Sequence, residues 1–183
     1  MVKSRLDKLL APWVFVLTGI IFNILSAVIT HYFIGLNNDD INALDRDVQS
    51  KQVLIDSLWQ SRIEVERKEE FFLLLLNQAN AESADMRDYY RNYLNDLVTA
   101  HDLASFRQRI ENPAPADINL LLELSDAAQK TIIESINNTY FETLELQEAK
   151  MPLERANARL FSIAIFLQVT GLILVLARDL RRH

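Results

Sequence analysis

From Pro12 to Leu36 the sequence reads PWVFVLTGIIFNILSAVITHYFIGL, without one Asp, Glu, Lys or Arg. As an α-helix this stretch is roughly 36 Å long, enough to cross a hydrocarbon core of about 30 Å with some tilt. A second uncharged run, Leu160 to Ala177 (LFSIAIFLQVTGLILVLA), gives roughly 27 Å and just suffices. The expected organisation is therefore two transmembrane helices, 12–36 and 160–177, enclosing a segment 37–159 on one side of the membrane. Short tails, 1–11 and 178–183, lie on the other side.

Charge sets the orientation. Lys3, Arg5 and Lys8 outweigh Asp7 before the first run, and Arg178, Arg181 and Arg182 outweigh Asp179 after the second, so each tail is +2. Of the 19 basic and 25 acidic residues in the chain, 13 and 23 fall between Gly35 and Arg159, a balance of −10. Basic residues near span ends stay in the cytoplasm, so both termini are expected inside a bacterial inner membrane and the acidic middle outside. A secretory signal peptide is the competing reading of the N-terminus. The apolar run is nearly twice a typical signal core and no clean cleavage site follows it, which favours a retained anchor. With only three Gly and four Pro, the chain is expected to be all-α. Having no Cys, it offers neither a disulfide nor a thiolate site.

Within the spans the polar and small residues are periodic. Gly19, Asn23, Ser26 and Thr30 follow a 4-3-4 spacing, and Ala164, Gln168 and Gly171 repeat its first part. Small residues let helices approach, and an amide in hydrocarbon seeks a hydrogen-bonding partner. These seven residues are the expected packing face, with Asn23 and Gln168 at one depth and meeting within one chain or between subunits. Tolerated polar residues without a functional role are the alternative. His31 reads as an interfacial side chain.

Beyond the first span, NNDDINALDRD fits no calcium loop and reads as a helix start capped by Asn38 or Asp39. Ile41, Leu44, Val48, Ile55, Leu58, Val65, Phe72 and Leu76 then follow a three-four repeat, interrupted at Lys51, Arg62 and Glu69. This is a coiled-coil or bundle pattern, predicting a helix to about Asn77. FFLLLL, Phe71 to Leu76, is apolar on every side and is expected to be core, or else a surface for a partner. A break is expected around Asn77 to Ser83, then a helix over 84–98 carrying Tyr89, Tyr90 and Tyr93 among charges. Phe71, Phe72, Tyr89, Tyr90, Arg91 and Tyr93 form a candidate partner or ligand face, with ordinary packing as the alternative. A break at Thr99 to Asp102 precedes a short helix over 103–110, which the prolines of Glu111 to Asp117 stop. From Asp117 the positions Ile118, Leu121, Leu122, Ala128, Ile132, Ile136, Tyr140, Leu144 and Met151 predict one helix continuing into the second span. Asn137, Asn138 and Pro152 argue for interruption, and continuity is the preferred reading. The result is an outer antiparallel bundle or coiled-coil stalk of four helices.

Chemistry is sparse. Metalloprotease, di-iron, serine-hydrolase and phosphate-loop motifs are missing, and the three histidines are far apart in sequence. No catalytic residue, cofactor or metal ligand is expected, and a −10 segment repels nucleic acid. The span and helix pattern is similar to the outer four-helix sensing modules of bacterial chemoreceptors and histidine kinases. That resemblance implies a sensor-like bundle, but the tails are too short for a signalling domain, so a signal would pass laterally to another membrane protein. The expected function is a membrane scaffold or accessory subunit, contacting lipid and either its own copies or another membrane protein. The alternative is a homo-oligomeric pore or membrane-perturbing protein with Gly19, Asn23, Ser26, Thr30 and Gln168 facing water.

Overall fold

A computed structural model of the chain describes residues 12–76, 84–110 and 117–180. Among the described residues every regular element is helical. Helix α1 (Pro12–Val28) passes through a π-helical segment, Ile29–Ile34, into α2 (Gly35–Leu76). Helix α3 (Ala84–Ala100), a 3-10 turn (Ala104–Phe106) and the single turn α4 (Arg107–Ile110) precede α5 (Ile118–Leu180). Two helical stretches, Trp13–Leu75 and Ile118–Ala177, are long and apolar enough to cross a membrane. Only 11 % of the apolar window of each is buried, unlike the core helix of a soluble protein. The chain divides into two compact units, Met1–Val48 with Glu145–His183, and Gln49–Leu144.

Several local expectations change. No helix begins at Asn38 or Asp39, because Gly35 adopts right-handed helical geometry and donates its N–H to Tyr32 O, carrying the chain from the π segment into α2. The helix expected over 103–110 is a 3-10 turn followed by one α-turn. The break at 77–83 and the residues 111–116 with the two prolines lie outside the described residues. Helix α5 runs through Asn137, Asn138 and Pro152 without interruption. Pro152 leaves the Glu148 carbonyl without its helical N–H, a tolerable loss because Pro152 is exposed.

The unit Gln49–Leu144 has a core drawn from α2, α3, α4 and α5. Val65 and Phe72, Tyr90 to Val98, Ile110, and Leu120 to Ile136 supply its buried side chains. Phe72, 1 % exposed, is the hub. Its ring stacks on Tyr93 at 4.6 Å and 13° and meets Tyr90 edge-on at 5.6 Å, so burial worth about 1.5–3 kcal/mol is joined by aromatic pairing. FFLLLL is thus core at one position in particular. Phe71 and Leu74 are exposed, since the neighbouring helices cover only the Phe72 side of α2.

The start of α5 is fixed by a residue that the sequence marks. Asp117 Oδ1 accepts the Leu120 N–H at 3.1 Å as an N-cap, and its carbonyl accepts both the Leu121 N–H and the Tyr90 hydroxyl. Further along, the core face changes character. Tyr140, an expected core position, is 54 % exposed, while Thr139 and Thr143 are buried. Thr131, Ser135, Thr139 and Thr143 each donate to the carbonyl four residues back, at 2.8 to 3.1 Å. A hydroxyl satisfied by its own helix can be buried without a cross-helix partner.

Helix α3 ends on a left-handed residue. Asp102 has φ 50°, with Leu103 N–H bonded to Val98 O at 2.9 Å, the closure that usually employs glycine. Replacing Asp102 by glycine removes the Cβ penalty. Asp102→Gly is expected to raise the unfolding free energy by up to about 1 kcal/mol in a urea titration, whereas Asp102→Val lowers it.

Candidate functional site

In the unit Met1–Val48 with Glu145–His183, five of the seven residues expected to pack meet across the helices, Gly19 and Asn23 against Gly171 and Ser26 against Ala164. Gly19, Ser26, Ala164 and Gly171 are buried, Asn23 is half-buried, and Thr30 and Gln168 are exposed. A Cβ built on Gly19 would lie 2.5 Å from Gly171 O and 2.8 Å from Val175 Cγ2. One built on Gly171 would lie 2.8 Å from Gly19 O and 3.1 Å from Asn23 Oδ1. Only glycine permits this backbone approach. Two turns on, Ser26 Oγ donates to Ala164 O at 2.8 Å, a cross-helix bond shielded from solvent, and Thr30 Oγ1 donates to Ser26 O at 3.0 Å.

Asn23 and Gln168 line one groove of about 430 Å³ with Ser26, Thr30, His31 and Leu172. Among the described residues no hydrogen bond joins the two amides, so the Ser26 hydroxyl, rather than an amide pair, fastens α1 to α5. The π segment adjoins this groove. Past it, contacts that the periodicity does not indicate continue the seam. Asn37 Nδ2 donates to Asn157 Oδ1 at 2.9 Å, and Asn157 Nδ2 donates to Asn38 Oδ1 at 2.8 Å. Lys150 Nζ binds Asp45 at 2.7 Å and Glu154 at 3.1 Å. The hydrogen bonds to Asp45 and Glu154 raise the Lys150 pKa. Asn37, Asn38 and Asp45, read from sequence as a capped helix start, are instead cross-helix ligands of α5.

In the unit Gln49–Leu144 the candidate aromatic face separates into two sets. The two sets differ in burial and not in place: Phe72, Tyr90 and Tyr93 are buried, while the exposed Phe71 and Tyr89 rings lie 5.7 and 5.4 Å from that of Phe72, and exposed Arg91 pairs with Asp88 one turn away. Tyr93 has a buried hydroxyl near Ser125 Oγ and Glu69, without well-formed hydrogen-bond geometry. Burial pushes its pKa up to about 12, Ser125 opposing and the Glu69 and Glu64 charges assisting. Burial also raises Tyr90, with the Asp117 charge adding to it. The Glu69 carboxyl is raised chiefly by burial, and receives the Gln129 amide at 3.4 Å. Burial lowers the His101 pKa.

The residues that sequence reasoning passed over are the interruptions of the apolar repeat. Lys51 pairs with Glu142, Arg62 with Glu66 at 3.0 Å and with the Trp59 ring, and Glu69 with Gln129. Each keeps its place on the inner side of α2 by finding a polar partner. A cavity of about 140 Å³ lies between α2 and α3, beside Val65, Tyr93 and Leu97. No protein-family model matches the chain, and neither a curated protein nor a solved structure matches it.

Two outcomes follow from these geometries. Gly19→Ala and Gly171→Ala are each expected to weaken the α1 to α5 contact by about 1–3 kcal/mol, since the intruding methyl meets backbone oxygen. In this cysteine-free chain, reduced disulfide formation between cysteines placed at Asn23 and Gln168 reads that loss. The second concerns alkali. Unfolded tyrosine ionises near 10 and folded Tyr93 near 12, so the folded state holds the proton longer and stability falls as pH rises from 10 towards 12. Tyr90 acts in the same direction. Urea titrations at stepped pH are expected to show this decline, and a shallower one in Tyr93→Phe.

Proposed function

We propose that the chain is an accessory subunit of the bacterial inner membrane, held by two spans and acting through contact with another membrane protein. In this reading 12–36 and 160–177 cross the bilayer, both tails are cytoplasmic, and 37–159 form an antiparallel helical bundle outside. The observation that carries it is the unbroken course of α5, 63 residues from Ile118 to Leu180. An axial shift or twist applied to such a helix meets no loop that absorbs it, which is how sliding helices transmit a change of state.

Other features support the reading. The apolar stretches expose Ile24, Leu25, Phe166 and Ile173, side chains suited to lipid. The +2 tails and the −10 middle agree with a cytoplasmic location for both ends. The Asn23 and Gln168 amides keep hydrogen-bonding capacity at their groove, and in hydrocarbon such capacity favours a further helix bearing a polar group. Exposed Phe71, Leu74 and Tyr89 offer apolar contact outside the membrane.

The same groove favours a second reading, a homo-oligomer whose Thr30 and Gln168 face water in a pore. Purification from the native host in mild detergent, alongside Asn23→Leu/Gln168→Leu, separates the two. The accessory role is supported by a second membrane protein at fixed stoichiometry that the double substitution removes, with liposomes of the pure chain remaining tight. Self-association with dye release supports the pore. A lone monomer in both preparations overturns both readings.

A further inference from the structure

The cavity between α2 and α3 belongs to neither the seam nor the aromatic hub. Its walls are apolar on one side, where Val65, Tyr93 and Leu97 are 4 %, 7 % and 4 % exposed. Its rim carries Glu64 and Lys68 from α2 and Asp96 and His101 from α3. Lys68 is already engaged by Glu64 at 3.1 Å, whereas Asp96 has no ion-pair partner among the described residues. Helix α3 adds negative potential here, because it ends at Ala100, which lines the cavity. The His101 and Leu103 N–H groups cap the carbonyls of Leu97 and Val98, leaving those of Thr99 and Ala100 without a described backbone partner. Burial lowers the His101 pKa, which works against a positive charge on that side chain.

The balance at the cavity is therefore negative, from a carboxylate without a counter-ion and a helix C-terminus, beside a pocket of carbon. A metal ion is disfavoured, since among the described residues no three His, Asp or Glu side chains are grouped to ligate one. We propose that this cavity binds a small organic ammonium ion, its charge held by Asp96 and the end of α3 and its carbon body packed on Val65, Leu97 and the Tyr93 ring. The buried Tyr93 hydroxyl, which lacks a well-formed hydrogen bond, is a further polar group beside the pocket. A volume of about 140 Å³ suits a single short alkyl or benzyl group. The inference stands independently of the membrane partner, because every residue involved belongs to the unit Gln49–Leu144.

The test uses the full chain in detergent, titrated calorimetrically with n-butylamine and benzylamine, and in parallel with benzyl alcohol and benzoate. Saturable binding of the amines, at least tenfold tighter than of the alcohol and undetectable for benzoate, is expected. Asp96→Asn, at an exposed position, is expected to lower amine affinity about tenfold with the melting temperature of the free protein unchanged. Ala100→Leu, which fills the cavity from its rim, is expected to abolish binding. Equal affinity for amine and alcohol, no heat from either amine, or amine binding that survives both substitutions would overturn the proposal. Should Ala100→Leu unfold the chain, the Asp96→Asn comparison decides alone.

Discussion

The contact between the backbones of Gly19 and Gly171 is the constraint on which the rest of the paired apolar helices depends. Because each glycine faces the other's carbonyl, α1 and α5 come closer than side chains would allow. Only at that separation does the short Ser26 side chain reach the Ala164 carbonyl. In the proposed bilayer setting lipid tails are as apolar as leucine, so close packing and such hydrogen bonds, rather than exclusion from water, hold helices together. The Asn37, Asn157 and Asn38 amides continue the same seam, followed by the Lys150 ion pairs. Along its length the seam thus passes from backbone contact, through uncharged hydrogen bonds, to exposed charge.

The unit Gln49–Leu144 is held by a different force. Phe72, Leu94, Leu121 and Leu124 are withdrawn from water, and polar groups are admitted only where a partner is at hand. The Tyr90 hydroxyl shows this, ending on the Asp117 carbonyl where α5 begins. Thr139 and Thr143 show the cheaper solution, bonding to their own helix. The Tyr93 and Ser125 hydroxyls and the Arg62 Nε are the exceptions among the described residues, buried without a well-formed hydrogen bond.

Much of this was legible from residues alone. The two uncharged runs, the 4-3-4 spacing of Gly19, Asn23, Ser26 and Thr30, and the helix start at Asp117 all rest on local rules of length, period and capping. What was not legible depends on neighbours. Phe71 and Phe72 are adjacent and chemically identical, and only the packing of α3 decides which one is core. Tyr140 fitted the apolar period better than Thr139, yet the threonine is inside, because a back-bonded hydroxyl behaves as a small apolar group. Asn38 and Asp39 have the composition of a cap, but Gly35 remained helical and Asn38 was drawn to Asn157 instead. The left-handed Asp102 carried no glycine to announce it.

The π segment Ile29–Ile34 was hidden for another reason, since it alters phase without altering composition. One surplus residue turns everything after it by about 100° relative to an unbroken α-helix. A helical wheel drawn through Pro12 to Leu76 therefore mixes two angular frames, one for α1 and one for α2. Deleting or adding a single residue between Ile29 and Ile34 would turn the start of α2 against α1, carrying Asn37, Asn38 and Asp45 away from the α5 side chains that they now meet.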